Sequence, residues 1–173
     1  MQSIRWNSKN DNTLLSAGFD RNVYVFDVRD QSSYVKTKIP SASGDIECAN
    51  WHPIMEHNFA VTTESGQVYG YDSRNIKEPV FVIQAHEQSC SQVCFSPHIP
   101  NMMATSGTEG LVKIWDITGG NSSAGSAAPM EVSSKTMKQG ELFAMQYCMD
   151  IPWVLATGGS TGQMAIWDIS ETA

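Results

Sequence analysis

The chain has 173 residues, 41% hydrophobic and 17% charged, enough for one domain with a real core and unlike a disordered or fibrous protein. A net charge of −7, with 11 basic residues that never form a run, argues against direct nucleic-acid binding, which runs on clustered Lys and Arg. The same acidity fits basic protein partners.

No run reaches the roughly 18 apolar residues of a membrane span, so no membrane partner is expected. The first ten residues, MQSIRWNSKN, lack the apolar stretch of a signal peptide. Four sparse cysteines (Cys48, Cys90, Cys94 and Cys148) read as reduced thiols of an intracellular protein, not as a disulfide framework.

In chain order, SIRWN (3–7) alternates and breaks, LLSAG (14–18) follows, and RNVYVFDV (21–28) ends in an aromatic–aspartate pair. YVKTKI (34–39) supplies a fourth strand. The same order returns three times. ECANWHP (47–53), NFAVTT (58–63), GQVYGYDS (66–73) and PVFVIQ (79–84) form the second unit. QVCFSP (92–97), MMATSG (102–107), EGLVKIWDI (109–117) and MEVSSKTM (130–137) form the third. FAMQYC (143–148), VLATGG (154–159) and GQMAIWDI (162–169) close the series with three strands. Period-two apolar alternation marks half-buried antiparallel strands, and no segment keeps helical spacing.

The aspartates Asp27, Asp72, Asp116 and Asp168 are 45, 44 and 52 residues apart, and each follows an aromatic residue (Trp6, Trp51, Phe95, Tyr147) by 21 residues. Two markers locked at one offset in four copies define a repeat. The longer last interval is filled by a Gly/Ser/Ala-rich stretch, read as a flexible loop over 119–129. The expected organisation is one domain over 1–173, with units at about 1–40, 41–85, 86–137 and 138–173.

Four-stranded units of this length ending in Trp–Asp resemble the blades of WD-repeat β-propellers. The fold class expected is therefore all-β: a partial propeller of four consecutive four-stranded antiparallel blades, the last incomplete. In that family a His, a Ser/Thr, an Asp and the Trp form a hydrogen-bonded tetrad. The resemblance assigns tetrad-like positions to His86, Thr105, Glu109 and Trp115 in the third unit. It assigns Ser16, Asp20 and Phe26 in the first, Val61, Ser65 and Tyr71 in the second, and Thr157, Thr161 and Trp167 in the fourth. Rings of this family usually hold seven or eight blades. The chain is thus expected to be a C-terminal piece of a probable seven-bladed ring, its open faces covered by missing blades of the parent chain or by a second copy.

No cofactor, metal or catalytic site is expected. His86, Cys90, Cys94 and His98 have zinc-like spacing, but on a strand residues i and i+4 lie roughly 13 Å apart, too far for one ion. A Cys94–His98 nucleophile pair lacks an orienting third group. The loops between second and third strands place Phe19, Glu64, Thr108 and Ser160 as candidate protein-binding residues, with Phe19 the apolar anchor.

Arg29 and Arg74, two residues beyond a repeat aspartate in consecutive units, look like the adaptor-facing arginines of substrate receptors for cullin-type ubiquitin ligases. The plainer reading is a surface pair with a neighbouring acid. Finally, SGDIECANWHP (43–53), residues 65–87, the MK-x-G-x-LF lead-in at 137–143 and IWDIS (166–170) are similar to the C-terminal blades of the periodic-tryptophan family. That resemblance implies a non-catalytic scaffold of the nucleus and nucleolus, acting in ribosome biogenesis and rRNA processing, with pre-ribosomal or chromatin proteins as partners.

Overall fold

A computed structural model describes residues 1–30, 32–118 and 128–172. The expected loop at 119–129 lies, for residues 119–127, outside the described residues.

Four antiparallel sheets follow one another along the chain, each a meander. Blade 1 is β1 (Ser3–Trp6), β2 (Thr13–Ala17), β3 (Asn22–Asp27) and β4 (Tyr34–Lys38). Blade 2 is β5 (Ile46–Trp51), β6 (Asn58–Thr63), β7 (Gln67–Asp72) and β8 (Phe81–Gln84). Blade 3 is β9 (Cys90–Phe95), β10 (Met102–Gly107), β11 (Leu111–Asp116) and β12 (Met130–Thr136). Blade 4 has three strands among the described residues: β13 (Leu142–Tyr147), β14 (Val154–Gly159) and β15 (Met164–Asp168). No sustained helix was expected, and two short 3-10 turns, Ser41–Ser43 and Ile169–Thr172, lie wholly within the described residues.

Tight turns join the second and third strands. Gly66, Gly110 and Gly162 hold φ of 80°, 82° and 73° there, a region a Cβ disfavours. Blade 1 uses Arg21 at φ 61° in the same place.

The blades stack in chain order, with the first strands β1, β5, β9 and β13 against their neighbours. Every strand alternates between two faces. The leading face of each blade carries a row of large side chains across the sheet: Trp51–Phe59–Tyr71 in blade 2, Phe95–Met103–Trp115 in blade 3 and Tyr147–Leu155–Trp167 in blade 4. Each row sits on the small and aliphatic trailing face of the preceding blade. Leu15, Ala17, Val23 and Val25 receive the first row, Ala60, Val68 and Ile83 the second, and Ala104, Val112 and Ile114 the third. The core is thus three interfaces between sheets, and no single blade owns it.

Polar stitches run along the same interfaces. Ser3 Oγ donates to the Ala49 carbonyl (2.9 Å), Asn50 Nδ2 to Val93 (3.2 Å) and Gln92 Nε2 to Phe143 (3.0 Å). In the reverse direction Trp51 Nε1 donates to the Arg5 carbonyl (3.1 Å). Such bonds satisfy backbone acceptors that a lone sheet would leave to water.

The stack does not close on itself. Blade 1 presents the row Trp6–Leu14–Phe26–Tyr34, equivalent to the three covered rows. Yet Trp6 is 59% exposed, where Trp51 is 5%, Phe95 6% and Tyr147 4%. Tyr24, Phe26 and Tyr34 form a surface aromatic cluster with centroids 5.6–5.7 Å apart, and Lys36 Nζ lies 5.1 Å from the Tyr24 ring. At the other end the trailing face of blade 4 leaves Met164 73% and Ile166 66% exposed.

Candidate functional site

Two constellations matter: the buried polar networks inside the blades, and the loop end that the networks hold in place. In blade 3 Trp115 Nε1 donates to Thr105 Oγ1 (2.9 Å), which meets His86 Nε2 at 2.8 Å, and His86 Nδ1 reaches Glu109 Oε1. The structure thus brings Trp115, Thr105, His86 and Glu109 together, in that order, in one hydrogen-bonded chain. Burial lowers the His86 pKa, and the Glu109 carboxylate partly offsets that. Thr105→Val keeps the shape but removes the acceptor of one buried donor and the partner of another. Urea unfolding should show a loss of about 2–3 kcal/mol, with an unchanged m-value.

The other blades solve the same problem differently. In blade 4 Thr157 Oγ1 donates to Gln139 Oε1 (2.6 Å), and Gln139 Nε2 donates to the carbonyls of Thr157 (3.1 Å) and Gln163 (2.9 Å). Gln139, absent from the sequence reading, takes the place of the histidine, and Trp167 Nε1 finds no partner among the described residues. In blade 2 Ser43 Oγ and Tyr69 Oη lie 2.6 Å apart, and Tyr69 donates on to Gln67 (2.9 Å). Ser65 instead meets Thr63 Oγ1 at 3.2 Å. In blade 1 Asp20 accepts from the Asn22 backbone and side chain, while Ser16 and Phe26 lie on the uncovered leading face. Ser16, Asp20 and Phe26 are not brought together as a network.

The loops between second and third strands gather at one end, and those of blades 2, 3 and 4 are tied to the residue before the first strand of their own blade. Glu64 N donates to Asp45 O (2.9 Å), Thr108 N to Ser89 O (2.9 Å) and Ser160 N to Glu141 O (2.8 Å). The side chains are partly engaged too. Thr108 Oγ1 donates to Gln88 (3.3 Å), Ser160 Oγ accepts from the Glu141 N–H (3.1 Å), and Glu64 Oε2 accepts from the Asp45 N–H (3.4 Å). Phe19, 54% exposed, is the large apolar side chain of the four. Asp20, Asp45, Glu64, Glu87, Glu109 and Glu141 belong to these loops and their neighbours, against Arg21, Lys38 and Lys138, with Lys36 of β4 acting on Asp20. Burial and the nearby carboxylates of Glu64 and Asp45 push the Glu47 pKa up, a sign of crowded negative charge.

Arg29 and Arg74 stand at the other end, each locked onto the aspartate two residues before it: Asp27 at 2.6 Å and Asp72 at 2.5 Å. The Arg29 guanidinium holds Asp27 at a pKa of about 2. Among the thiols, Cys90 packs into the interface of blades 2 and 3 and Cys94 into that of blades 3 and 4, so they occupy opposite faces of one sheet. Burial raises the pKa of Cys48, Cys90 and Cys94, which keeps them protonated. His98 is exposed.

Sequentially stacked four-stranded blades with a buried Trp–Thr–His–Glu chain define a WD-repeat β-propeller architecture, and the chain belongs to the WD-repeat family. The family pattern described as "WD domain, G-beta repeat" matches residues 77–116, the span that contains the complete tetrad. Over 99% of its length the chain is 29% identical to "Periodic tryptophan protein 1 homolog" of Drosophila melanogaster, covering 36% of that protein. Over 98% it is 29% identical to "Periodic tryptophan protein 1" of Saccharomyces cerevisiae, covering 30%. The chain thus spans about a third of the length of these relatives. In fold it matches a chain of the "Crystal Structure of Mitotic Checkpoint Complex" with a TM-score of 0.81 at 19% identity, covering 98% of this chain and 48% of that one.

Proposed function

We propose that the protein is a non-catalytic WD-repeat scaffold that holds protein partners at the loop end of its blades. The observation that carries this reading is the anchoring of the loop tips: backbone bonds of 2.8–2.9 Å fix three of them to their own blades. The frame so fixed carries Glu64, Thr108 and Ser160 on its tips, while Phe19 stands exposed on the corresponding loop of blade 1, and binding energy at such surfaces concentrates in a few anchors of this type. The partner chemistry that fits is a basic protein segment with an apolar residue for Phe19. The setting in ribosome biogenesis or ribosomal-gene chromatin, and the nucleolar location, are what the likeness to periodic-tryptophan proteins supports. The two uncovered blade faces take further blades, from the remainder of a longer parent protein or from a second copy of the chain.

The substrate-receptor reading is weaker, because each arginine it needs is already held by its own aspartate. Gradient sedimentation of the tagged protein separates the two. Phe19→Ala with Glu64→Lys should release it from pre-ribosomal particles, while Arg29→Glu with Arg74→Glu should leave it there. Loss of binding to a cullin adaptor with the arginine pair, and retention on particles with the loop pair, would reverse the assignment.

A further inference from the structure

We propose that His52 is a pH-operated latch between the second and third blades. The imidazole is buried at the start of the turn between β5 and β6. Its Nδ1 accepts the N–H groups of Ile54 (3.1 Å) and Met55 (3.0 Å) in its own turn. Its Nε2 donates to the Pro100 carbonyl (2.7 Å) in the corresponding turn of blade 3. A carbonyl can only accept and a backbone N–H can only donate, so both ring atoms are assigned: Nε2 carries the proton and Nδ1 is bare. A second proton has to go onto Nδ1, where it meets two N–H donors head on.

The chain itself shows that the role does not require a titrating group. In blade 1 the residue after the aromatic is Asn7. Its Oδ1 accepts from the Lys9 (2.8 Å) and Asn10 (3.2 Å) amides, and its Nδ2 donates to the Glu56 carbonyl of blade 2 (2.7 Å). In blade 3 Ser96 Oγ receives the His98 and Ile99 amides of its own turn. Two seams therefore carry the same latch, one in amide and one in imidazole.

The surroundings do not favour an imidazolium. The Phe95 ring lies 4.7 Å from the imidazole, and Asn58, Phe59, Tyr71 and Ile117 share the small cavity beside it. Tyr71 is the titratable side chain of that lining. Glu56 and His57 lie in the ring's own turn, His98 in the turn opposite, and Asp72 and Asp116 end the neighbouring strands. Burial holds the imidazole pKa below its ordinary 6.5, and the Pro100 carbonyl works against this. A depressed folded-state pKa fixes the sign. The latch contributes fully above about pH 6.5 and is lost as pH falls through the folded value.

What opens is specific. Pro53 and Pro97, in the two latched turns, line a cavity of about 390 Å³ walled by Trp6, Trp51, Phe95 and Tyr147. Acid therefore loosens two turns that line that cavity and leaves the sheet interfaces packed.

The test is an NMR titration of the wild-type imidazoles from pH 7.5 to 5, with amide exchange read alongside, repeated on His52→Asn. The expected result is a His52 ring that keeps its proton on Nε2 and titrates below 6.5. Protection of the Ile54 and Met55 amides, corrected for intrinsic rates, should fall about tenfold more in the wild type than in H52N. A His52 pKa at or above 6.5 overturns the proposal, and this requires no variant to fold. So does a parallel loss of protection in both proteins.

Discussion

Gly66→Ala is expected to destabilise the protein by about 3 kcal/mol or more, from a left-handed residue gaining a Cβ plus an overpacked contact. A Cβ at Gly66 would lie 2.2 Å from the His86 carbonyl oxygen and 2.4 Å from that of Gln88, both backbone atoms of the loop leading into the next blade. Neither can move without shifting the start of blade 3. Equivalent glycines provide an internal scale. At Gly110 the nearest atom is the Gly140 carbonyl oxygen at 3.0 Å, again in the loop into the next blade. At Gly162 nothing lies within 4 Å. Gly162→Ala should therefore show only the conformational penalty, about 1–2 kcal/mol. Denaturant unfolding of the three alanine variants should rank them 66, then 110, then 162. The space at Gly162 is where the loop of a further blade would pass.

Trp51→Ala and Trp6→Ala form the second large contrast. The two tryptophans occupy one repeat position, but Trp51 is covered by blade 1, meets Phe59 at 5.3 Å and donates to the Arg5 carbonyl. Its removal should cost about 3–5 kcal/mol, the range for a large aromatic in a core. Trp6 has no blade upon it, so the same change should cost under about 1 kcal/mol in the isolated chain. Thermal unfolding of the two variants measures the difference. A Trp6 variant as damaged as the Trp51 variant would mean that this face is already covered.

How much of this was legible can be judged residue by residue. The fixed offset of 21 residues between aromatic and aspartate located every blade, because both residues are dictated by the geometry of a single sheet. His86, Thr105, Glu109 and Trp115 were singled out by the family resemblance instead, and they are hydrogen-bonded in one chain. Gln139 was not singled out, since a carboxamide replaces an imidazole by offering the same donor and acceptor from another backbone position. Arg21 likewise took a turn conformation that the sequence marks with glycine elsewhere. The latches at Asn7 and His52 stand directly after the repeated tryptophans and could have been found there. Their hydrogen bonds cross between blades, however, and a pattern within one repeat does not contain its neighbour. Phe19, Glu64, Thr108 and Ser160 lie in the loops between second and third strands, but the bonds that tie three of those loops down depend on residues some 20 positions away.

Both ends of this blade stack expose side chains at positions that pack between blades elsewhere in the chain. Sedimentation equilibrium of the purified chain across a wide concentration range tests whether they are packing surfaces, with Trp6→Glu and Ile166→Glu alongside. The prediction is concentration-dependent association that either charge suppresses while the far-UV spectrum is unchanged. A monodisperse monomer at every concentration, or association that ignores both charges, would contradict it.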